Sequence, residues 1–199
     1  MNPRVVIALA VVAVSALGAI VLAAPEDEPG EPTGPRRFQG AVLPPGLRAP
    51  DFTLTDQDGR GISMRSLRGR PVIVTFLYTT CEDTCPTQAQ QVKGAFDELG
   101  KDVPAVAVAV DPPRDNRQRA RAFLSEQRMT GRMTFALGTR SELEPVWRAF
   151  AVQPQRDDLE HTGRFVLVDA KGLQRVGFPL GEATPERIAH DVRLLEGGA

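Results

Sequence analysis

Hydrophobic and polar positions divide the chain into three stretches. From Val5 to Ala24 it reads VVIALAVVAVSALGAIVLAA without a charged residue, about the length that crosses a hydrocarbon core of roughly 30 Å. Arg4 precedes this run and Glu26, Asp27 and Glu28 follow it, so the positive end is expected to stay inside and the rest to be exported. The run exceeds the apolar core usual in a signal peptide, which favours a retained anchor. Cleavage after the small residues Ala23 and Ala24 is the alternative. No cysteine follows the run, which excludes a lipoprotein anchor. Residues 25–49 are dense in Pro, Gly and charge and read as a flexible tether.

After Pro50, short apolar runs alternate with helical patterns, as in an α/β domain. Phe52 and Leu54 alternate with polar residues ahead of Asp58-Gly59 and Ile62, predicting a hairpin. PVIVTFLY, Pro71 to Tyr78, predicts a central strand buried on both faces. A helix begins at Thr84 or Cys85, with Pro86 near its first turn and Ala89, Val92, Phe96 and Leu99 on its inner stripe. Ala105 to Val110 predicts a second buried strand, completing a βαβ unit. Asn116 to Gln127 predicts a helix with Ala120, Phe123 and Leu124 inside. Ser141 and Glu144 match a capping box ahead of a helix carrying Leu143, Trp147 and Phe150. Arg164 to Asp169 and Leu173 to Phe178 read as a hairpin, and Thr184-Pro185 opens a last helix burying Ile188, Val192 and Leu195. This order is that of an α/β thioredoxin-like fold with an added N-terminal β-hairpin, preceded by one transmembrane helix. The domains are expected at 1–24 (anchor or signal), 25–49 (tether) and 50–199 (folded domain).

Composition narrows the function. The formal net charge is −1, so no global basic field attracts nucleic acid. The two cysteines, Cys81 and Cys85, are too few for a disulfide scaffold, and any special chemistry is local.

That chemistry centres on TTCEDTCP, Thr79 to Pro86, where a buried strand ends and a helix begins. Ligands bind at this edge of open α/β sheets, and a helix N-terminus favours thiolate over thiol. If Cys85 lies in the first helical turn, Cys81 lies about one turn before it on the same side. Three readings compete. A structural disulfide would close a loop too short to add much stability. A catalytic dithiol would normally space its cysteines by two residues rather than three. A metal site of soft thiolates would select Cu(I) or zinc. A peroxidase thiol would call for a threonine where Tyr78 stands.

A metal site needs a third donor. His190 falls between the buried Ile188 and Val192 and reads as an ordinary surface residue. His161 stands in VQPQRDDLEHTGR, just before the strand RFVLVD, in a loop that a thioredoxin topology places beside the cysteines. Two thiolates and one imidazole suit copper, whereas structural zinc normally takes four protein ligands.

YTTCEDTCP, VDPPRD (Val110 to Asp115) and EHTGRFVLVDAKG, together with PDFTLTDQDGR and ALGTRSELEPVWRAFAV, resemble the Sco/SenC family of copper chaperones over about Pro50 to Leu195. The resemblance implies a thioredoxin fold, copper ligands at Cys81, Cys85 and His161, and a role in building the binuclear copper centre of cytochrome c oxidase. Two features depart from it: Glu82 follows the first cysteine where relatives often carry proline, and the stretch from Phe150 to His161 is short. For VDPPRD, a turn with Asp115 or Asn116 as helix cap stands beside a supporting role for Asp111 at the site.

The expected function is therefore a copper metallochaperone, holding Cu(I) or Cu(II) without turning over a substrate. Oxidation is expected to join Cys81 and Cys85 in a reversible disulfide. The rival is a membrane-anchored thiol-disulfide oxidoreductase that reduces the oxidase subunit's cysteines. Expected partners are the copper-bearing oxidase subunit, another copper chaperone or thiol reductase, and the membrane through the N-terminal segment. The domain is expected on the extracytoplasmic face.

Overall fold

The structure, a computed structural model, describes residues 37–155 and 163–198. In chain order its elements are β1 (Ala41–Val42), β2 (Thr53–Thr55), β3 (Gly61–Ser63), β4 (Val72–Leu77), α1 (Thr84–Leu99), β5 (Ala105–Ala109), α2 (Arg117–Glu126), β6 (Thr134–Ala136), α3 (Arg140–Ala149), β7 (Arg164–Val168), β8 (Gln174–Pro179) and α4 (Pro185–Glu196). Short 3-10 turns lie at Arg65–Leu67 and Leu180–Glu182.

The β-branched run of β4 leaves no polar face to turn toward water, and all six of its residues are buried. It accordingly lies inside a six-stranded sheet of order β1-β8-β7-β4-β5-β6. β5 runs parallel to β4 with Val74 opposite Val106, and β6 parallel to β5, while β7 pairs antiparallel on the other side of β4. α1 crosses between β4 and β5 and packs against α4. The two helices approach so closely that a Cβ on Gly94 would stand 2.7 Å from Pro185 Cγ. Trp147 on α3 donates its indole N–H to the Ala109 carbonyl at 2.8 Å, tying that helix to the end of β5.

The hairpin β2–β3 forms a separate two-stranded sheet with Leu54 opposite Ile62. It closes the free edge of β6: Thr55 bridges Leu137, and Gln57 Oε1 accepts the Phe135 N–H at 2.9 Å.

Two expectations change. The capping box of α3 is Thr139 with Glu142, not Ser141 with Glu144. Leu137 is still bridged to Thr55, so the chain turns at Gly138 and the helix starts two residues earlier than the motif suggested. The boundary at residue 50 also moves, because the described part of the stretch read as a tether is docked on the domain. Ala41 and Val42 pair with Gly177 and Val176, Arg48 bridges Leu173, and Ala49 is buried. A Cβ on Gly40 would stand 2.4 Å from Val176 Cγ1, so only glycine lets the arm lie this close. The arm is held through its backbone pairing and by Phe38, Leu43 and Ala49 packed on the core, which its Pro, Gly and charge content does not reveal.

The apolar run Val5–Ala24 and residues 25–36 lie outside the described residues. Among the described residues no helix is long and apolar enough to cross a membrane.

Candidate metal centre

β4 delivers the chain to the sheet edge at Leu77, and a single turn, with Cys81 N–H donating to the Tyr78 carbonyl at 3.4 Å, leads to the first cysteine. α1 then begins without a side-chain cap from Asp83. The first N–H groups of a helix need acceptors, and here sulfur is one: Cys85 N–H donates to Cys81 Sγ at 3.2 Å. Thr84 Oγ1 lies 3.4 Å from the same sulfur. The two thiols, both free, thus share one spot at the helix N-terminus, Cys81 at 8% exposure and Cys85 at 0%.

Their electrostatics differ sharply. The Cys85 side chain donates to Cys81 and, with Thr84, the Cys85 N–H and Tyr78, outweighs burial and lowers the Cys81 thiol to about 4. Burial, and the proton held for Cys81, push the Cys85 thiol up. At neutral pH the pair is a thiolate and a thiol sharing one proton. A soft cation meets an ionised sulfur first and must displace the Cys85 proton to gain the second.

Asp115 braces this loop from the neighbouring one. Its Oδ1 accepts from Thr79 N–H at 2.7 Å and Thr79 Oγ1 at 2.8 Å, and its Oδ2 from Asp111 N–H at 3.1 Å. Burial outweighs these bonds and pushes its carboxyl up to about 6. Asn116, not Asp115, caps α2, accepting from Arg119 N–H at 3.0 Å. Asp111 is buried, and its carboxylate meets Arg114 at 3.1 Å rather than the cysteine loop. Glu82 is exposed.

His190 is half-exposed, as expected, and its Nδ1 lies 2.8 Å from Asp191 Oδ1. Asp191 is buried and accepts the N–H groups of Gln39 and Gly40, so this histidine belongs to the clasp of the N-terminal arm. His161 lies outside the described residues. On one flank of its loop Gln155 N–H donates to the Val110 carbonyl, at the end of β5, at 3.0 Å. On the other, a Cβ on Gly163 would stand 3.7 Å from Gln88 Nε2 on α1. Among the described residues no three His, Cys, Asp or Glu side chains cluster to hold a metal.

Gln88 escaped the reading of the sequence altogether, and Asp115 entered it only as a candidate helix cap. Gln88 is fully buried one turn beyond Cys85, and its Oε1 accepts from Thr75 Oγ1 at 2.9 Å. Its only signal was a polar residue beside the inner stripe of α1. A cavity of about 500 Å³ lies between the turn of β2–β3, α2 and β6, lined by Arg60, Arg121, Leu124 and Met133, and no residue of the cysteine loop borders it.

A sequence model of the family described as SCO1/SenC matches residues 44–195. The chain belongs to the SCO1/SenC family. The SCO1 protein homolog of Bacillus subtilis is 28% identical over 153 residues, covering 71% of this chain and 79% of that one. SenC of Rhodobacter capsulatus is 29% identical over 151 residues, covering 71% and 67%. Bradyrhizobium japonicum ScoI, solved with copper bound, superposes with a TM-score of 0.64 at 30% identity, over 74% of this chain and 99% of that one. BsSco, in which a disulfide switch was identified and which is a member of the Sco family of cytochrome c oxidase assembly proteins, superposes at 0.66 and 25% identity, over 77% and 96%. The α/β thioredoxin-like arrangement read from the element order is the SCO1/SenC fold, and the cysteine pair sits at the sheet edge where its β4–α1 turn ends.

Proposed function

We propose that this SCO1/SenC protein is a copper metallochaperone, holding one copper ion through Cys81, Cys85 and His161 for delivery to the binuclear copper centre of cytochrome c oxidase. The observation that carries the reading is the pair of reduced sulfurs at one helix N-terminus, one of them ionised at neutral pH. That donor set suits a soft cation. The copper-bound ScoI relative and the oxidase-assembly role of BsSco support copper and destination respectively. The apolar run Val5–Ala24 anchors the chain and leaves the domain on the extracytoplasmic face. Resistance of the protein to carbonate extraction tests that placement.

The test of the function is copper content and affinity of the reduced full-length protein. Cys81→Ser and Cys85→Ser should lose Cu(I) and Cu(II) binding. His161→Ala should keep measurable Cu(I) binding but lose most Cu(II) binding with its sulfur-to-copper charge-transfer absorption, because Cu(II) needs the nitrogen donor. His190→Ala should match the parent. Cu(II) binding by the His161 variant equal to the parent would overturn the ligand set.

One observation favours a second reading. An ionised outer thiol backed by a protonated inner one is also the arrangement of an attacking and a resolving cysteine. A thiol-disulfide oxidoreductase acting on the oxidase subunit's cysteines would use this pair and be indifferent to His161→Ala.

A further inference from the structure

The carboxylate of Asp115 stands where two loops of the sheet edge meet. Asn116 caps α2, which leaves the residue before it for another task. One oxygen of Asp115 takes both donors of Thr79, its N–H and its hydroxyl, and the other takes the Asp111 N–H. The loop after β4 is thereby fastened to the loop after β5 two residues before Cys81. Between the fastening and the sulfur there is only the turn in which Cys81 N–H meets the Tyr78 carbonyl. The contact from Cys85 N–H to Cys81 Sγ depends on that turn being held. A carboxylate is costly to bury, and its use here has a geometric reason: it accepts from three donors on two oxygens, whereas an amide has one acceptor oxygen and cannot serve Thr79 and Asp111 together.

We propose that Asp115 is the positioning residue of the cysteine loop, holding Cys81 against Cys85 through Thr79 and so biasing the pair toward its reduced, metal-accepting form. The inference rests on the reading of Cys81 and Cys85 as the copper thiols. Loss of the brace lets the turn relax, which removes the helix N–H from the Cys81 sulfur and leaves the disulfide relatively favoured. It also makes copper binding bear the cost of ordering the loop.

The experiment uses the full-length chain in detergent, equilibrated with reduced and oxidised glutathione. Oxidation of the pair forms one Cys81–Cys85 bond and passes two electrons to glutathione disulfide, whose S–S bond breaks; the Cys85 proton and one proton from solvent complete two molecules of reduced glutathione. Asp115→Asn should move this equilibrium about tenfold toward the protein disulfide, about 30 mV more negative, and weaken Cu(I) binding about tenfold in competition with a chromophoric chelator. Thr79→Val should shift both in the same direction by less, because its backbone N–H remains. Thr79→Ser, which keeps both donors, should restore parental values. Asp115→Asn combined with Thr79→Val should go little beyond Asp115→Asn alone, since both break one contact. Should Asp115→Asn fail to fold, Thr79→Val and Thr79→Ser carry the test. Glutathione equilibria of Asp115→Asn and Thr79→Val within twofold of the parent overturn the proposal, whatever happens to thermal stability. The glutathione measurement contains no copper, so a shift there in a protein that binds no copper would retain Asp115 as a positioning residue and remove the chaperone reading alone.

Discussion

Cys81 and Cys85 are chemically unlike although both are buried, and the difference comes from who donates to whom. Cys81 is held near 4 chiefly by the hydrogen bond from the Cys85 thiol. Cys85→Ala removes that donor, so the Cys81 thiol should move up toward the ordinary cysteine range of about 8.5. The expected result is that alkylation of Cys81 by iodoacetamide, insensitive to pH between 5 and 7 in the parent, becomes strongly pH-dependent in the variant. Asp115 gives the opposite sign. Its folded value of about 6 lies above the usual 3.8, so the folded state holds that proton more tightly than the unfolded chain. Well below pH 3.8 the group is protonated in both states. As pH rises toward 6 the unfolded chain ionises first, and about 2 to 3 kcal/mol of stability is lost before the curve levels. Asp115→Asn should abolish this pH-dependent loss in denaturant titrations, whatever its effect on absolute stability.

At the scale of single elements, helix starts are set by where the preceding strand lets go. Thr139 accepts from Glu142 N–H, and Glu142 returns a bond to the Thr139 N–H at 2.7 Å. Thr139→Ala should cost about 1 kcal/mol, while Ser141→Ala, the cap that the motif alone suggested, should fall within about 0.5 kcal/mol of the parent. Urea unfolding of the two variants decides between the registers. Trp147 links α3 to β5 through one buried bond, and Trp147→Phe leaves the Ala109 carbonyl without it. A loss of about 1 to 3 kcal/mol is expected, read in the same titration.

For the whole domain, the N-terminal arm matters more than its composition suggests. Asp191 is completely buried on α4 and receives Gln39 N–H at 2.8 Å and Gly40 N–H at 2.9 Å, while Arg187 donates to the Gln39 carbonyl. Phe38 adds a ring beneath the Arg175 guanidinium. The arm thus extends the sheet by β1 and fixes where the chain enters the domain. Asp191→Ala should release it: amide exchange at residues 39–42 should quicken by at least tenfold, with slow exchange retained in β4 and β5. Unchanged protection across 39–42 would show that pairing with β8 alone holds the arm.

Much of this protein was legible in its sequence, because the decisive signals are local. Burial of PVIVTFLY on both faces, the helical stripe from Ala89 to Phe96, the Thr184-Pro185 start of α4 and the cysteine pair at a strand-to-helix junction each depend on neighbours a few residues apart. The spacing of Cys81 and Cys85 at a helix start points to one shared spot, although Cys81 itself precedes α1 and its turn is fastened by Asp115. What the tertiary structure decided are contacts between residues far apart in the chain. Asp115 reaches Thr79 across 36 positions and Asp191 reaches Gln39 across 152. In sequence Asp115 reads only as one of two candidate helix caps and Asp191 carries no signal, since nothing local distinguishes a buried acceptor of backbone N–H groups from a solvated charge. Only the folded backbone, with donors it cannot leave unpaired, gives those two side chains their places.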